Sequence, residues 1–198
     1  MNGWRRRLAL TVLAACAAWL PSAAGTPPRA SKVFSVPAPL AALHRHALEG
    51  DPQAQFELGI LLLCGRELPR DAAHAALWMA LAAARNHDGA QSVLGWQMMT
   101  ATGLKRDDLH AAHWIQLAAQ AGDTAAQNNL GVLYALGQGV SRNPAEAERW
   151  FRAAADKGAA EAQRNLAVLR GTALPARSAS AAGSAGLHPA LIAAGCTR

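Results

Sequence analysis

Residues 123–158 read DTAAQNNLGVLYALGQGVSRNPAEAERWFRAAADKG, and the stretch carries the local signals of two helices joined by a turn. Asp123 is placed to cap a first helix whose inward positions are Ala126, Leu130, Leu133 and Tyr134, a helical spacing that stops at Gly137 and Gly139. A second helix opens at Asn143-Pro144-Ala145-Glu146, an N-cap, a proline at the first helical position and a capping-box glutamate. Its apolar stripe is Ala147, Trp150, Phe151 and Ala154. Lys157 then puts a cation in the last turn, and Gly158 can adopt the left-handed C-cap conformation.

The same signals return every 36 residues. Ala-Gln stands at 54–55, 90–91, 126–127 and 162–163, followed by Leu58, Leu94, Leu130 and Leu166. Trp78, Trp114 and Trp150 keep the period, each followed by an apolar Met79, Ile115 or Phe151, and Gly50, Gly122 and Gly158 form a further column. A fixed period of this length marks a stacked array in which each unit buries its apolar face against its neighbours. Gly59, Gly95 and Gly131 sacrifice helix propensity, which is expected where paired helices approach closely. The fold class is therefore all-α: an α-solenoid of stacked antiparallel helix pairs, three full 36-residue repeats plus caps.

Ala-Gln-x-x-Leu-Gly, then Gly137-x-Gly139-Val140, then Trp150-Phe151 and Ala154-Ala155 resembles the Sel-one-like (Sel1-like) repeat, a relative of the tetratricopeptide repeat. The resemblance covers about residues 47 to 157 and a further first helix at about 160 to 170. It departs from the family pattern at Gln97 and Met98 in the second unit, and at Ala167 and Arg170 in the fourth. Leu40 to Glu49 aligns with a second helix and reads as an N-terminal cap. The resemblance implies an α-solenoid used as a scaffold for protein complexes, often in exported bacterial proteins.

Outside the array, MNGWRRR followed by the apolar run Leu8 to Leu20 and the small residues Ser22-Ala23-Ala24 reads as a signal peptide over 1–24. The run is too short to cross roughly 30 Å of hydrocarbon as a helix. Leu13-Ala14-Ala15-Cys16 also resembles a lipobox, which makes Cys16 a candidate lipidation site and a membrane-anchored lipoprotein the alternative to a soluble periplasmic or secreted form. Four prolines make 25–39 an extended linker, the repeat domain occupies 40–170, and 171–198 reads as a flexible Ala/Ser/Gly-rich tail. Within the tail, Gly186 to Ile192 faintly resembles the opening of lytic transglycosylase domains, without their catalytic glutamate. Cys64 and Cys196 remain if Cys16 leaves with the signal, and an even count in an oxidising compartment makes them a candidate disulfide.

The chain has 198 residues, 52% apolar and 16% charged, with a formal charge of +6. Without Arg5, Arg6 and Arg7 the balance is 16 basic against 13 acidic residues, too weak and scattered to track phosphates, so no nucleic-acid partner is expected. No Ser-x-x-Lys, Gly-x-Ser-x-Gly, His-Glu-x-x-His, Cys-x-x-Cys or phosphate-binding glycine loop occurs. His110 and His113 lie three apart on one helix, but the sequence supplies no set of four ligands, and neither metal nor cofactor is called for.

The tryptophan column 78, 114 and 150 reads as packing because it recurs in every unit. Trp96 does not recur: its column elsewhere holds Ile60, Val132 and Val168. With Phe56, Ile60, Val93, Met99, Asn128, Asn129 and Arg164 it is expected to line a concave groove for a protein or peptide partner. The same residues could instead bury one another between neighbouring first helices. On the second helix of the first unit, Ala76, Leu77, Ala80 and Leu81 occupy positions that are charged in the third unit, which makes Leu77 and Leu81 a candidate outer contact. The expected function is an exported, non-catalytic interaction scaffold with no membrane span after processing. The alternative is a cell-envelope hydrolase or accessory factor acting on peptidoglycan or β-lactams, a role given to cysteine-rich relatives that carry a cysteine pair per repeat.

Overall fold

The computed structural model describes residues 38–171 together with His188 and Cys196. Among the described residues the chain forms eight helices: α1 (Ala38–Glu49), α2 (Pro52–Cys64), α3 (Ala72–Ala84), α4 (Asp88–Thr100), α5 (Asp108–Ala121), α6 (Thr124–Leu136), α7 (Pro144–Asp156) and α8 (Ala160–Leu169). Helices α2–α3, α4–α5 and α6–α7 are the three hairpins, α1 packs on the first, and α8 on the last. The linker expectation ends two residues late, since α1 starts at Ala38; Pro39 in its first turn lacks an N–H that the helix would leave unpaired anyway. Residues 1–24, Cys16 included, and the rest of the linker lie outside the described residues.

The caps follow the sequence. Asp51, Asp71, Asp107, Asp123 and Asn143 each accept a backbone N–H from the first turn of the helix they precede. Each second helix is also tied back to its first: the N–H groups of Asp71, Asp107 and Asn143 donate to the carbonyls of Leu62, Met98 and Tyr134 at 2.9, 3.3 and 2.9 Å. In the C-cap column, Gly50, Gly122 and Gly158 have φ of 97°, 101° and 86°, and Asn86 completes the column at 64°. Asparagine is among the few residues that tolerate this region, so the missing glycine leaves the turn intact.

Two columns set how the hairpins close and stack. A Cβ added to Gly59, Gly95 or Gly131 would lie 2.7 Å from Met79, 2.5 Å from Ile115 and 2.6 Å from Phe151 respectively, so each glycine admits the bulky residue of its partner helix. Between hairpins, the Nε2 of Gln55, Gln91 and Gln127 donates to the carbonyls of Ala47, Ala83 and Ala119 at 2.9, 3.3 and 3.2 Å. Those carbonyls lie in the last turn of the preceding helix, where each also accepts the N–H of the residue three further on, Gly50, Asn86 or Gly122. Leu58, Leu94 and Leu130 are buried at the centre of these joints, with Tyr134 and Trp150 packed against the same core as Leu130.

The tryptophan column is less uniform than its period. Trp114 is buried, whereas Trp78 and Trp150 are half-buried against the core. Trp78 meets the lone α1 rather than a whole hairpin, edge-on to His44 at 6.1 Å. The Arg149 guanidinium lies 4.9 Å over the Trp150 ring.

Leu130→Ala is expected to lose about 2–5 kcal/mol in chemical denaturation, since transfer energy and packing go together. Gly95→Ala is expected to cost about 1–3 kcal/mol by overpacking against Ile115. Combined with Ile115→Val it should cost less than the two single changes summed, which a double-mutant cycle measures.

Candidate functional site

First helices α2, α4, α6 and α8 each present a stripe of residues four apart, which share one face. The stripes are Phe56-Ile60-Cys64, Ser92-Trp96-Thr100, Asn128-Val132-Leu136 and Arg164-Val168. Core columns on either side repeat leucine and glycine from unit to unit; the stripes do not.

At the centre of this surface a buried polar chain runs through Ser92. Asp123, the N-cap of α6, accepts the backbone N–H of Ala126 at 2.6 Å and the Ser92 hydroxyl at 2.9 Å. Ser92 Oγ lies 2.8 Å from His188 Nε2. Because the single serine proton goes to Asp123, Nε2–H of His188 is the donor in the second bond, which fixes the imidazole as the Nε2–H tautomer. The His188 ring stands edge-on to Trp96, centroids 6.2 Å apart. Ser92 is 0%, His188 2% and Trp96 8% exposed. A neutral imidazole suits such a site: burial pulls the His188 pKa from 6.5 down to about 4, while the Asp123 charge pulls the other way.

Cys196 reaches the same face at its other end, joined to Cys64 as a disulfide with Cα atoms 5.0 Å apart. The expected flexible tail therefore needs correction at two positions, since His188 and Cys196 are both buried against the array. The remainder of 172–198 lies outside the described residues. His188, between Leu187 and Pro189 and outside the 36-residue period, carries no periodic signal. Ser92 could have been noticed as the one hydroxyl in a column otherwise filled by Phe56, Asn128 and Arg164.

The other groove residues divide. Ile60, Val93 and Met99 face the core rather than a groove, because their side chains fill the joint between neighbouring hairpins. Phe56 stacks on His87 at 4.5 Å, and His87 caps α4 by accepting the Ala90 N–H. Burial lowers the His87 pKa, in keeping with a ring nitrogen that must stay unprotonated to accept. Asn128 accepts a hydrogen bond from Asn165 at 2.9 Å, Asn129 is half-buried, and Arg164 is exposed beside Glu161. Trp96, at the same stripe position as Ile60, is buried in that core as well, with the His188 ring against its edge.

The outer face is smaller than expected. Ala76 and Ala80 are buried; Leu77 and Leu81 are half-buried. In the second unit the equivalent of Ala76, Ala112, lies under Gly139 in the turn of the following hairpin, and an alanine is what that approach leaves room for. The third unit has no full hairpin after it, and its equivalent residue, Glu148, instead bonds Arg170 at 2.7 Å and Arg152 at 2.8 Å.

His110 has a structural duty: its Nδ1 lies 2.6 Å from Asp107, whose other oxygen accepts the His110 backbone N–H, and His74 and Asp71 repeat the arrangement. These carboxylates stand beside the histidines as helix caps. Ser92, His188 and Asp123 are the residue types of a nucleophilic triad in the wrong order. A triad places histidine between the other two so that it can take the serine proton; here serine is in the middle and gives its proton to aspartate. A cavity beside Trp114 and Gln91 holds only about 10 Å³, room for a single water.

Residues 52–87, 89–123, 124–158 and 160–182, more than half of the chain, match the family model of the Sel1 repeat. The chain belongs to the Sel1 repeat family. Each of the first three matched segments is one hairpin, and the fourth begins with α8. Among solved structures, a protective antigen of uropathogenic Escherichia coli displaying the SLR fold is 36% identical, with a TM-score of 0.62 over 67% of this chain and 29% of its own length. A Sel1 repeat protein from Oxalobacter formigenes is 34% identical, with a TM-score of 0.59 over 65% of this chain and 96% of that one. Cysteine rich protein B of Helicobacter pylori, 20% identical with a TM-score of 0.52 over 65% and 95%, shares the fold. No curated protein matches the chain. Sel1 repeat proteins generally mediate protein–protein interactions and are typically non-catalytic. Among the described residues no helix is long and apolar enough to cross a membrane.

The docked His188 is neutral, so its contribution to stability is fully present above the ordinary imidazole pKa of 6.5. As pH falls from 6.5 toward about 4, the undocked ring takes up a proton that the docked ring refuses, and the contribution is lost. Urea melts at pH 4.5 and 7.5 should show a loss at acid pH, on the order of 3 kcal/mol over the whole window, that is reduced in His188→Ala.

Proposed function

We propose that this protein is an exported, non-catalytic scaffold that binds a protein or peptide partner on the inner face of its first helices. The observation carrying this reading is the contrast between columns. Positions that hold the array together repeat leucine and glutamine in all four units and glycine in the first three, while the stripe positions change chemistry from Phe56 to Ser92, Asn128 and Arg164. Residues released from a packing rule are free to recognise something else. Solenoids typically use such an extended surface for binding, and large aromatics such as Trp96 are favoured anchors.

Export is supported by residues 1–24, read as a signal peptide, and by the Cys64–Cys196 disulfide, a bond that persists in oxidising compartments. The mature protein is then periplasmic or secreted, with a mature N-terminus at Gly25; acylated Cys16 at the N-terminus marks the lipoprotein form instead. The hydrolase alternative draws on the convergence of Ser92, His188 and Asp123. Its burial and hydrogen-bond order disfavour it.

A peptide library selected on the purified protein with its disulfide reduced should yield ligands whose affinity falls roughly thirtyfold in Trp96→Ala, about 2 kcal/mol, while the circular dichroism of the variant stays helical. Equal affinity for both proteins would falsify the inner-face reading. Turnover of a β-lactam or of peptidoglycan by the protein alone, abolished by Ser92→Ala, would establish the hydrolase in its place.

A further inference from the structure

The inner face already holds a side chain from elsewhere in the sequence. His188 is 96 positions from Ser92, and Cys196 is 132 positions from Cys64, yet both meet the same set of stripes: Cys64 on α2, Ser92 and Trp96 on α4. These contacts combine a hydrogen bond, a ring contact and a covalent bond. They are the components with which a groove binds a peptide, supplied here within one chain.

We propose that the inner face around Ser92, Trp96 and Asp123 is a peptide-binding site whose resident occupant is this chain's own C-terminal element, His188 inserted as the reading residue and Cys196 fastened to Cys64. The proposal rests on the inner-face reading above and adds what stands in the way of a partner. Eight residue steps separate His188 from Cys196, at most about 26–29 Å of chain, so the two contacts belong to one short stretch of sequence. Three features of the pocket select an imidazole. Ser92 Oγ accepts from its N–H, the Asp123 carboxylate polarises that hydroxyl from behind, and the Trp96 ring walls one side. An ammonium or guanidinium group would have to shed its water in a site this buried, a cost that the Asp123 charge offsets only in part, and an aliphatic side chain would leave Ser92 Oγ without its donor.

Cys64 on α2 and Ser92 and Trp96 on α4 are in this way engaged, while on α6 Leu136 remains 55% exposed. An outside ligand gains the full surface only after the element leaves. A dithiol reductant opens the tether by thiol–disulfide exchange. Its two thiols become a disulfide, and the two electrons and two protons pass to the sulfurs of Cys64 and Cys196, leaving two thiols. His188 is then held by its non-covalent contacts alone, at an effective concentration no longer set by a bond.

The test uses the full chain and a fluorescein-labelled peptide of residues 184–198 carrying Cys196→Ser. The oxidised wild type should exclude the peptide. The full-length double variant His188→Ala/Cys196→Ser should bind it at least tenfold more tightly, and adding Trp96→Ala should remove that binding. Independently of any variant, the His188 Hε1 resonance of the oxidised protein should stay unshifted between pH 7.5 and 5.5, and should titrate near 6.5 after reduction and unfolding. Equal peptide binding by the oxidised wild type and the double variant overturns the proposal. So do absence of binding by either, a His188 that titrates normally in the folded oxidised chain, and a disulfide-linked dimer on a non-reducing gel. A foreign partner bound through Trp96 equally well by both proteins removes the resident occupant and leaves the scaffold function standing. Peptide binding by the double variant with no foreign ligand for either protein does the reverse.

Discussion

The array depends on one side-chain hydrogen bond made three times. Gln55, Gln91 and Gln127 each reach back eight residues to a carbonyl that closes the preceding helix. Each of these carbonyls also accepts the backbone N–H of Gly50, Asn86 or Gly122 in the turn, so the amide adds a second bond to a buried acceptor and ties one hairpin to the next. Leu58, Leu94 and Leu130 then fall into register at the centre of the joint, and the glycine beside each admits its bulky partner. The pattern weakens where the support ends. Gln163 is exposed, α8 has no side-chain cap at Ala159, and Ala162 is its one fully buried residue.

Most of this was legible in the chain because the joints are local and periodic. Asp123 and Asn143 announce their helices, and Gly95 announces the close approach of Ile115. What the period could not convey is the contact that breaks it. Ser92, Asp123 and His188 come together across up to 96 positions, without a repeat to flag them, in a tail whose composition reads as unstructured. The groove residues were misjudged for a related reason. Val93 and Ile60 are on first helices, but so is the next hairpin's contact surface, and from one sequence a concave wall and a buried joint carry the same apolar signature. On the outer face the cover comes from the following unit, Gly103 lying against Ala72 and Gly139 against Ala112, and so lies beyond the repeat that it covers.

On the proposed reading, recognition and stability draw on different residues of the same helices. On α4, Leu94 and Gly95 serve the stack, while Ser92 and Trp96, within two residues of them, serve the inner face. This separation is what lets a repeat protein vary its binding surface without altering its architecture. It also explains why the Ser92 chain lacks hydrolytic geometry: its proton is spent on the N-cap of α6, so the hydroxyl is an element of shape and polarity and not a nucleophile.

The cross-link from Cys64 to Cys196 changes how the molecule bears force. A linear solenoid pulled by its ends transmits tension through every hairpin in turn, and its weakest terminal unit opens first. Here a covalent shortcut connects the end of α2 to the C-terminal region. Tension applied between the two termini passes through α1 and α2, crosses the sulfur pair, and bypasses α3 to α8. Those six helices are mechanically shielded while the bridge is closed, so the frayed α8 is spared and the load falls on the N-terminal helices instead.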